Sequence, residues 1–103
     1  MENVGKDSEP LRLSEIELVP VRPTAGLIGF AGLTLNQSLR LNGIAIYTRP
    51  GGGLRLVFPT RKLRNGTDIP LYFPISKEAG QLFEDALRTA FEQLLPTSSE
   101  IAE

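Results

Sequence analysis

The chain has 103 residues, with 11 Lys plus Arg against 12 Asp plus Glu, so its net charge is −1. One small domain with a single modest core suits this length, and 41% hydrophobic against 22% charged residues argues against overall disorder. Cys and His are both absent, which excludes disulfides, thiolate metal sites and thiol catalysis, and removes the side chain most used for acid–base chemistry near neutral pH.

Residues 1–10 are polar, aperiodic and end at Pro10; they read as a disordered arm. Ile16 and Leu18 alternate with Glu15 and Glu17, the period of a half-buried strand, which Pro20 and Pro23 are expected to close. Leu27 to Leu35 is apolar on both faces and carries Gly29, Ala31 and Gly32, so it reads as a buried central strand against which another element packs closely. Asn36-Gln37 is a candidate hairpin turn. In Leu39 to Tyr47 the apolar phase switches at Asn42-Gly43, which predicts a bulge or bend.

Pro50-Gly51-Gly52-Gly53 is a turn, and Leu54, Leu56 and Phe58 share one face of the strand that follows. Asn65-Gly66 marks another turn before a fifth strand with Ile69, Leu71 and Phe73. Pro70 and Pro74 place that strand at an edge, because proline has no N–H to donate. At Ser76, a good N-cap, the period becomes helical. Ala79, Leu82, Phe83, Ala86, Leu87, Ala90, Phe91, Leu94 and Leu95 form one apolar stripe, and Pro96 stops the helix. The expected fold is α+β: a five-stranded antiparallel meander with a C-terminal helix on one face, forming one domain over 11–96, with a disordered tail over 97–103. The helix could equally pack on a partner's sheet, and open sheet edges also favour pairing with a second copy. No apolar run approaches the roughly 20 residues of a membrane span and the first residues lack a secretory pattern, so a soluble cytoplasmic protein is expected.

The near-zero total charge hides a pattern. Lys6 against Glu2, Asp7 and Glu9 gives the first nine residues a charge of −2. Residues 10–75 hold eight cations against Glu15, Glu17 and Asp68, a charge of +5, and residues 76–103 carry −4. Either the oppositely charged parts attract each other within the fold, or the middle offers a basic surface to an anionic partner. Three cations, Arg61, Lys62 and Arg64, fall in one hairpin loop, where Arg can hold a phosphate bidentately and Lys adds a mobile charge. Arg40, Arg49 and Arg55 would extend the patch if they face the same way. Protective edge charges on an ordinary hairpin are the alternative reading of the same residues.

Enzyme chemistry is not expected. Glu15 and Glu17 share one side of a strand but read as its solvated face. No serine has an activating partner, and the glycines at 51–53 lack the Lys-Ser/Thr of a phosphate loop. No metal site, cofactor or small-molecule substrate is implied.

The order of these features resembles the stage V sporulation protein G (SpoVG) family, small bacterial regulators also called septation proteins. The residues that carry the resemblance are Gly53-Leu54-Arg55-Leu56-Val57-Phe58-Pro59-Thr60-Arg61-Lys62, then Asn65-Gly66, then Phe73-Pro74-Ile75-Ser76. The resemblance runs from about Leu13 to Leu95. It implies a homodimer, a cytoplasmic bacterial setting, and binding of DNA, and in some members RNA, as a regulator of gene expression. The family's basic pair after the proline carries over to Arg61 and Lys62. Where the family commonly has a His-Asp pair and an Arg in the third strand, this chain has Asn42-Gly43 and Ala45; an Arg-Asp pair before the fifth strand is replaced by Ile69-Pro70. The expected mechanism is electrostatic gripping of phosphates by Arg61, Lys62 and Arg64, with Arg55 on the neighbouring strand. The alternative is a dimeric protein-interaction adaptor with no nucleic-acid role.

Overall fold

The computed structural model describes residues 10–94. The expected N-terminal arm (apart from Pro10), Leu95, the helix stop at Pro96 and the expected tail lie outside the described residues. The chain is α+β. Strands β1 (Leu13–Thr24), β2 (Leu27–Leu35), β3 (Leu39–Thr48) and β4 (Leu54–Val57) form one antiparallel sheet in the order β1-β2-β3-β4. A second, two-stranded sheet pairs β5 (Thr60–Lys62) with β6 (Asp68–Pro70), and helix α1 spans Lys77–Leu94. No helix among the described residues is long and apolar enough to cross a membrane.

The main sheet therefore has four strands, not five. The segment expected as the fifth strand pairs only with the chain just before it, Thr60 opposite Pro70 and Lys62 opposite Asp68. Prolines explain the break: Pro59 ends β4 and turns the chain away from β3, while Pro70 and Pro74 remove the donors a longer ladder would need. Another departure lies in β1, which continues through Pro20 and Pro23. Pro20 sits opposite Gly29 on an edge strand, where one missing N–H leaves no ladder bond unmade on the solvent side.

The turns follow the residues that favour them. Asn36 and Gln37 both adopt positive φ, and Ser38 N–H donates to the Leu35 carbonyl at 3.0 Å, as in the mirror-image turns that suit hairpins. Asn36 also binds the residue before β1 reciprocally: its N–H donates to the Arg12 carbonyl (2.8 Å) and its Oδ1 accepts from Arg12 N–H (2.6 Å). The expected bulge is present, since Asn42 and Gly43 together oppose Gly32, with Gly43 at φ +89°.

Helix α1 covers one face of its own sheet. Ser76 caps it, its Oγ accepting from Ala79 N–H at 3.0 Å, and Glu78 lies in the positive first turn. Phe83, Leu87 and Phe91, four residues apart, are buried against Ala31, Leu33, Ile44, Ile46 and Leu54. Phe83 meets Phe58 edge-on with ring centroids 5.5 Å apart, and Phe58 meets Tyr72 in the same way at 5.8 Å. The small residues of β2 have the expected use: a Cβ on Gly29 would press against the β1 backbone and lie 3.4 Å from Phe91. Full burial of a side chain such as Leu87 contributes about 2–3 kcal/mol.

Candidate functional site

The β5–β6 hairpin is a turn with cations on and beside it. Leu63 N–H donates to the Thr67 carbonyl (2.7 Å), Gly66 N–H to the Leu63 carbonyl (2.9 Å), and Thr67 N–H to Asn65 Oδ1 (2.9 Å). Gly66 alone of the expected pair takes a positive φ, +90°, so Gly66 closes the loop while Asn65 stabilises it through its side chain. Arg61, Lys62 and Arg64 are all exposed. Among the described residues no carboxylate pairs with Arg61 or Arg64, whereas Lys62 Nζ lies 3.1 Å from Asp68 Oδ1, directly across the hairpin. An exposed pair of this kind contributes at most about 1 kcal/mol, so a phosphate can compete for the ammonium.

The hairpin is tethered at its base. Leu71 N–H donates to the Pro59 carbonyl at 2.9 Å. Tyr72 Oη donates to the Asn42 carbonyl at 2.6 Å, linking the segment after β6 to the bulge in β3. Burial pushes the Tyr72 phenol above its ordinary pKa.

The other arginines do not form one patch with the hairpin. Arg55 is exposed on the sheet face opposite α1, with its guanidinium carbon 4.6 Å from the Tyr47 ring centroid, and the two residues are cross-strand partners. Arg49 lies on the helix side, lining a shallow cleft with Leu56, Phe58, Lys77 and Glu84. Arg40 is on the same face as Arg55 but is engaged. Its Nη2 donates to Glu17 Oε1 (2.8 Å), and its Nη1 to the Glu15 carbonyl (2.7 Å) and Thr34 Oγ1 (3.2 Å). Gly32 makes this possible, because a Cβ there would overlap Asn42 Oδ1 and crowd the Arg40 guanidinium.

The same contacts account for Glu15 and Glu17. A one-residue bulge lies between Ser14 and Glu17, with Glu15 at φ +48°, and Glu15 Oε1 accepts from Thr34 Oγ1 at 3.0 Å. Both carboxylates are thus occupied by neighbours across the sheet. Among the described residues no group of three acidic side chains is placed to hold a metal ion.

Two features were not singled out in the sequence. One is an apolar groove of about 240 Å³ beside the start of α1, lined by Leu11, Leu39, Phe73, Ile75 and Phe83 among others, with Ile75 88% exposed. Its signal in the sequence is the apolar set Leu71, Phe73 and Ile75 after β6, which also reads as an alternating strand. The other is a row of outward-facing residues, Val19, Phe30, Ala45 and Val57, each the cross-strand partner of the next. Only the register reveals it, because its members come from four separate strands. No protein-family model matches the chain, and no curated protein matches it.

Proposed function

We propose that this chain is a homodimeric nucleic-acid-binding regulatory protein of the SpoVG type, binding DNA or RNA through phosphate contacts. The observation that supports this best is the β5–β6 hairpin, where Arg61, Lys62 and Arg64 are exposed on a tethered two-stranded unit beside a rigid sheet. Rigid placement of cations lowers the entropy lost on binding, and the forked guanidinium groups suit phosphate oxygens. The segment that carries the family resemblance, Gly53 to Ser76, is also the segment that builds this hairpin and caps α1. The acidic helix lies on the opposite side of the sheet from Arg55, so its carboxylates do not crowd that arginine. A second reading, a dimeric interaction adaptor, draws support from the exposed apolar groove around Leu39, Phe73 and Ile75.

The test is a titration by fluorescence anisotropy against random-sequence single- and double-stranded DNA and RNA at low salt. It is repeated with the variant Arg61→Ala, Lys62→Ala, Arg64→Ala. The proposal expects binding by the wild-type chain and its loss in the triple variant. Undetectable binding at low salt, or equal binding by the variant, would favour the adaptor.

A further inference from the structure

We infer that the sheet face opposite α1 is a stacking platform for single-stranded nucleic acid, with bases resting on Phe30 and on the Tyr47–Arg55 pair. This inference rests on the proposed nucleic-acid function and adds to it the strandedness of the ligand and the residues that read it.

Register brings the platform together. Val19, Phe30, Ala45 and Val57 cross all four strands as one row, and Leu27, Tyr47 and Arg55 form the next row on the same face. Phe30 and Tyr47 are diagonal neighbours, because Phe30 pairs with Ala45 and Tyr47 lies two residues further along β3. Diagonal positions on adjacent strands are about 7–8 Å apart, within reach of aromatic side chains. Phe30 is 39% exposed and Val19 59% exposed, unusual for large apolar side chains that have an available core. Ala45, between Phe30 and Val57, leaves the row low beside the Phe30 ring, so that a planar ring can approach.

Charge selects the occupant. These two rows contain a cation, Arg55, and no carboxylate. The acidic residues of this face, Glu15 and Glu17, lie on one side of these rows, with Glu17 in the row next to Val19, and their carboxylates are already engaged by Thr34 and Arg40. A guanidinium held over an aromatic ring is itself a surface on which a base can stack, while its remaining donors reach phosphate. Three residues beyond Val57 the chain enters β5 of the basic hairpin, so apolar platform and phosphate-binding cations are consecutive in the chain. Stacking faces beside a basic element are the arrangement by which proteins hold single strands with little sequence preference. In a duplex the base faces are covered by their neighbours and are not available to it.

The experiment compares one short oligonucleotide as a single strand and as a duplex, titrated against wild-type chain, Phe30→Leu, Tyr47→Leu and the hairpin triple variant. Phe30→Leu keeps an apolar side chain but loses the ring, Phe30→Tyr keeps the ring, and circular dichroism checks the fold of each. The expected result is a loss of about tenfold or more in single-strand affinity for Phe30→Leu, recovered in Phe30→Tyr, with duplex affinity and the salt slope unchanged. Unaltered single-strand binding in both Leu variants, or an equal loss on single strand and duplex, overturns the platform. So does sedimentation showing that Phe30→Leu turns a wild-type dimer into a monomer, which would make the row a contact between copies. Loss of all binding in the hairpin variant alone leaves the phosphate-gripping function standing and removes the platform. Absence of any wild-type binding removes both.

Discussion

Arg40 should matter for stability and hardly at all for ligand binding, although it belongs to the most basic segment of the chain. Its guanidinium donates to the Glu15 carbonyl at 2.7 Å, to Thr34 Oγ1 at 3.2 Å and to Glu17 Oε1 at 2.8 Å, and Nε reaches Asn42 Oδ1 at 3.3 Å. The side chain is 34% exposed and that of Glu17 79%, so their ion pair is well solvated and contributes at most about 1 kcal/mol. The bond to the Glu15 carbonyl is stronger, about 1.5–3 kcal/mol, because its donor is charged, and it holds a bulged residue at positive φ. Together these place the cost of Arg40→Ala at about 2–3 kcal/mol. For a domain of this size that is a fall in Tm of about 10–20 °C. Arg40→Lys should recover only part of it, since a point ammonium cannot reproduce the fork. Thermal unfolding followed by circular dichroism measures the change, and 1 M salt should weaken the Glu17 pair while leaving the carbonyl bond. A Tm within about 2 °C of wild type for Arg40→Ala would refute this account of the bulge. A large loss of nucleic-acid affinity in the still-folded variant would show that Arg40 faces the ligand after all.

Three further outcomes are expected. Gly32→Ala should cost about 1–3 kcal/mol in chemical denaturation, because its Cβ overlaps Asn42 and displaces Arg40. Ser76→Ala should cost about 1 kcal/mol by the same assay, the usual value of an N-cap, with Ser76→Asp restoring it. Tyr72→Phe should lose about 1 kcal/mol with its bond to the Asn42 carbonyl, and amide exchange should quicken in the hairpin before the main sheet. Because burial raises the Tyr72 phenol above its unfolded value near pH 10, its contribution is complete below about pH 10 and is lost as the pH rises through the folded value. An ultraviolet titration should therefore show Tyr72 ionising above the ordinary tyrosine range, a signal that Tyr72→Phe removes.

Local signals account for most of the agreement between sequence and structure. The phase change at Asn42-Gly43 revealed the bulge because side-chain alternation is a strict record of backbone register. Ser76 and the stripe through Phe83, Leu87 and Phe91 revealed the helix, its cap and its buried face in the same way. What escaped depended on which strands become neighbours. Pro20 looked like a strand end, yet β1 is an edge, where a missing N–H costs little. Ile69, Leu71 and Phe73 read as a fifth strand of the main sheet and Arg61 and Lys62 as loop residues, yet Asp68–Pro70 pairs with Thr60–Lys62, which requires closing only a short loop. The candidate site shows the same division. Arg61, Lys62 and Arg64 are adjacent in sequence and share a hairpin. Arg40, Arg49 and Arg55 could be sorted only once the register had placed Arg40 over Gly32 and Arg55 on Tyr47, and had left Arg49 on the helix side.

The proposed phosphate grip is tested most directly by the salt dependence of binding. In the proposed homodimer two hairpins offer three cations each, so up to six phosphates can be neutralised. The logarithm of the affinity should then fall with the logarithm of salt concentration with a slope of about −5 on duplex and about −4 on single strands. Replacing Arg61, Lys62 and Arg64 by Ala should remove most of that slope in a chain that still folds, leaving at most the contribution of Arg55 on single strands. A triple variant that keeps the wild-type slope would contradict the account, because the charges that release counterions would then lie elsewhere on the molecule.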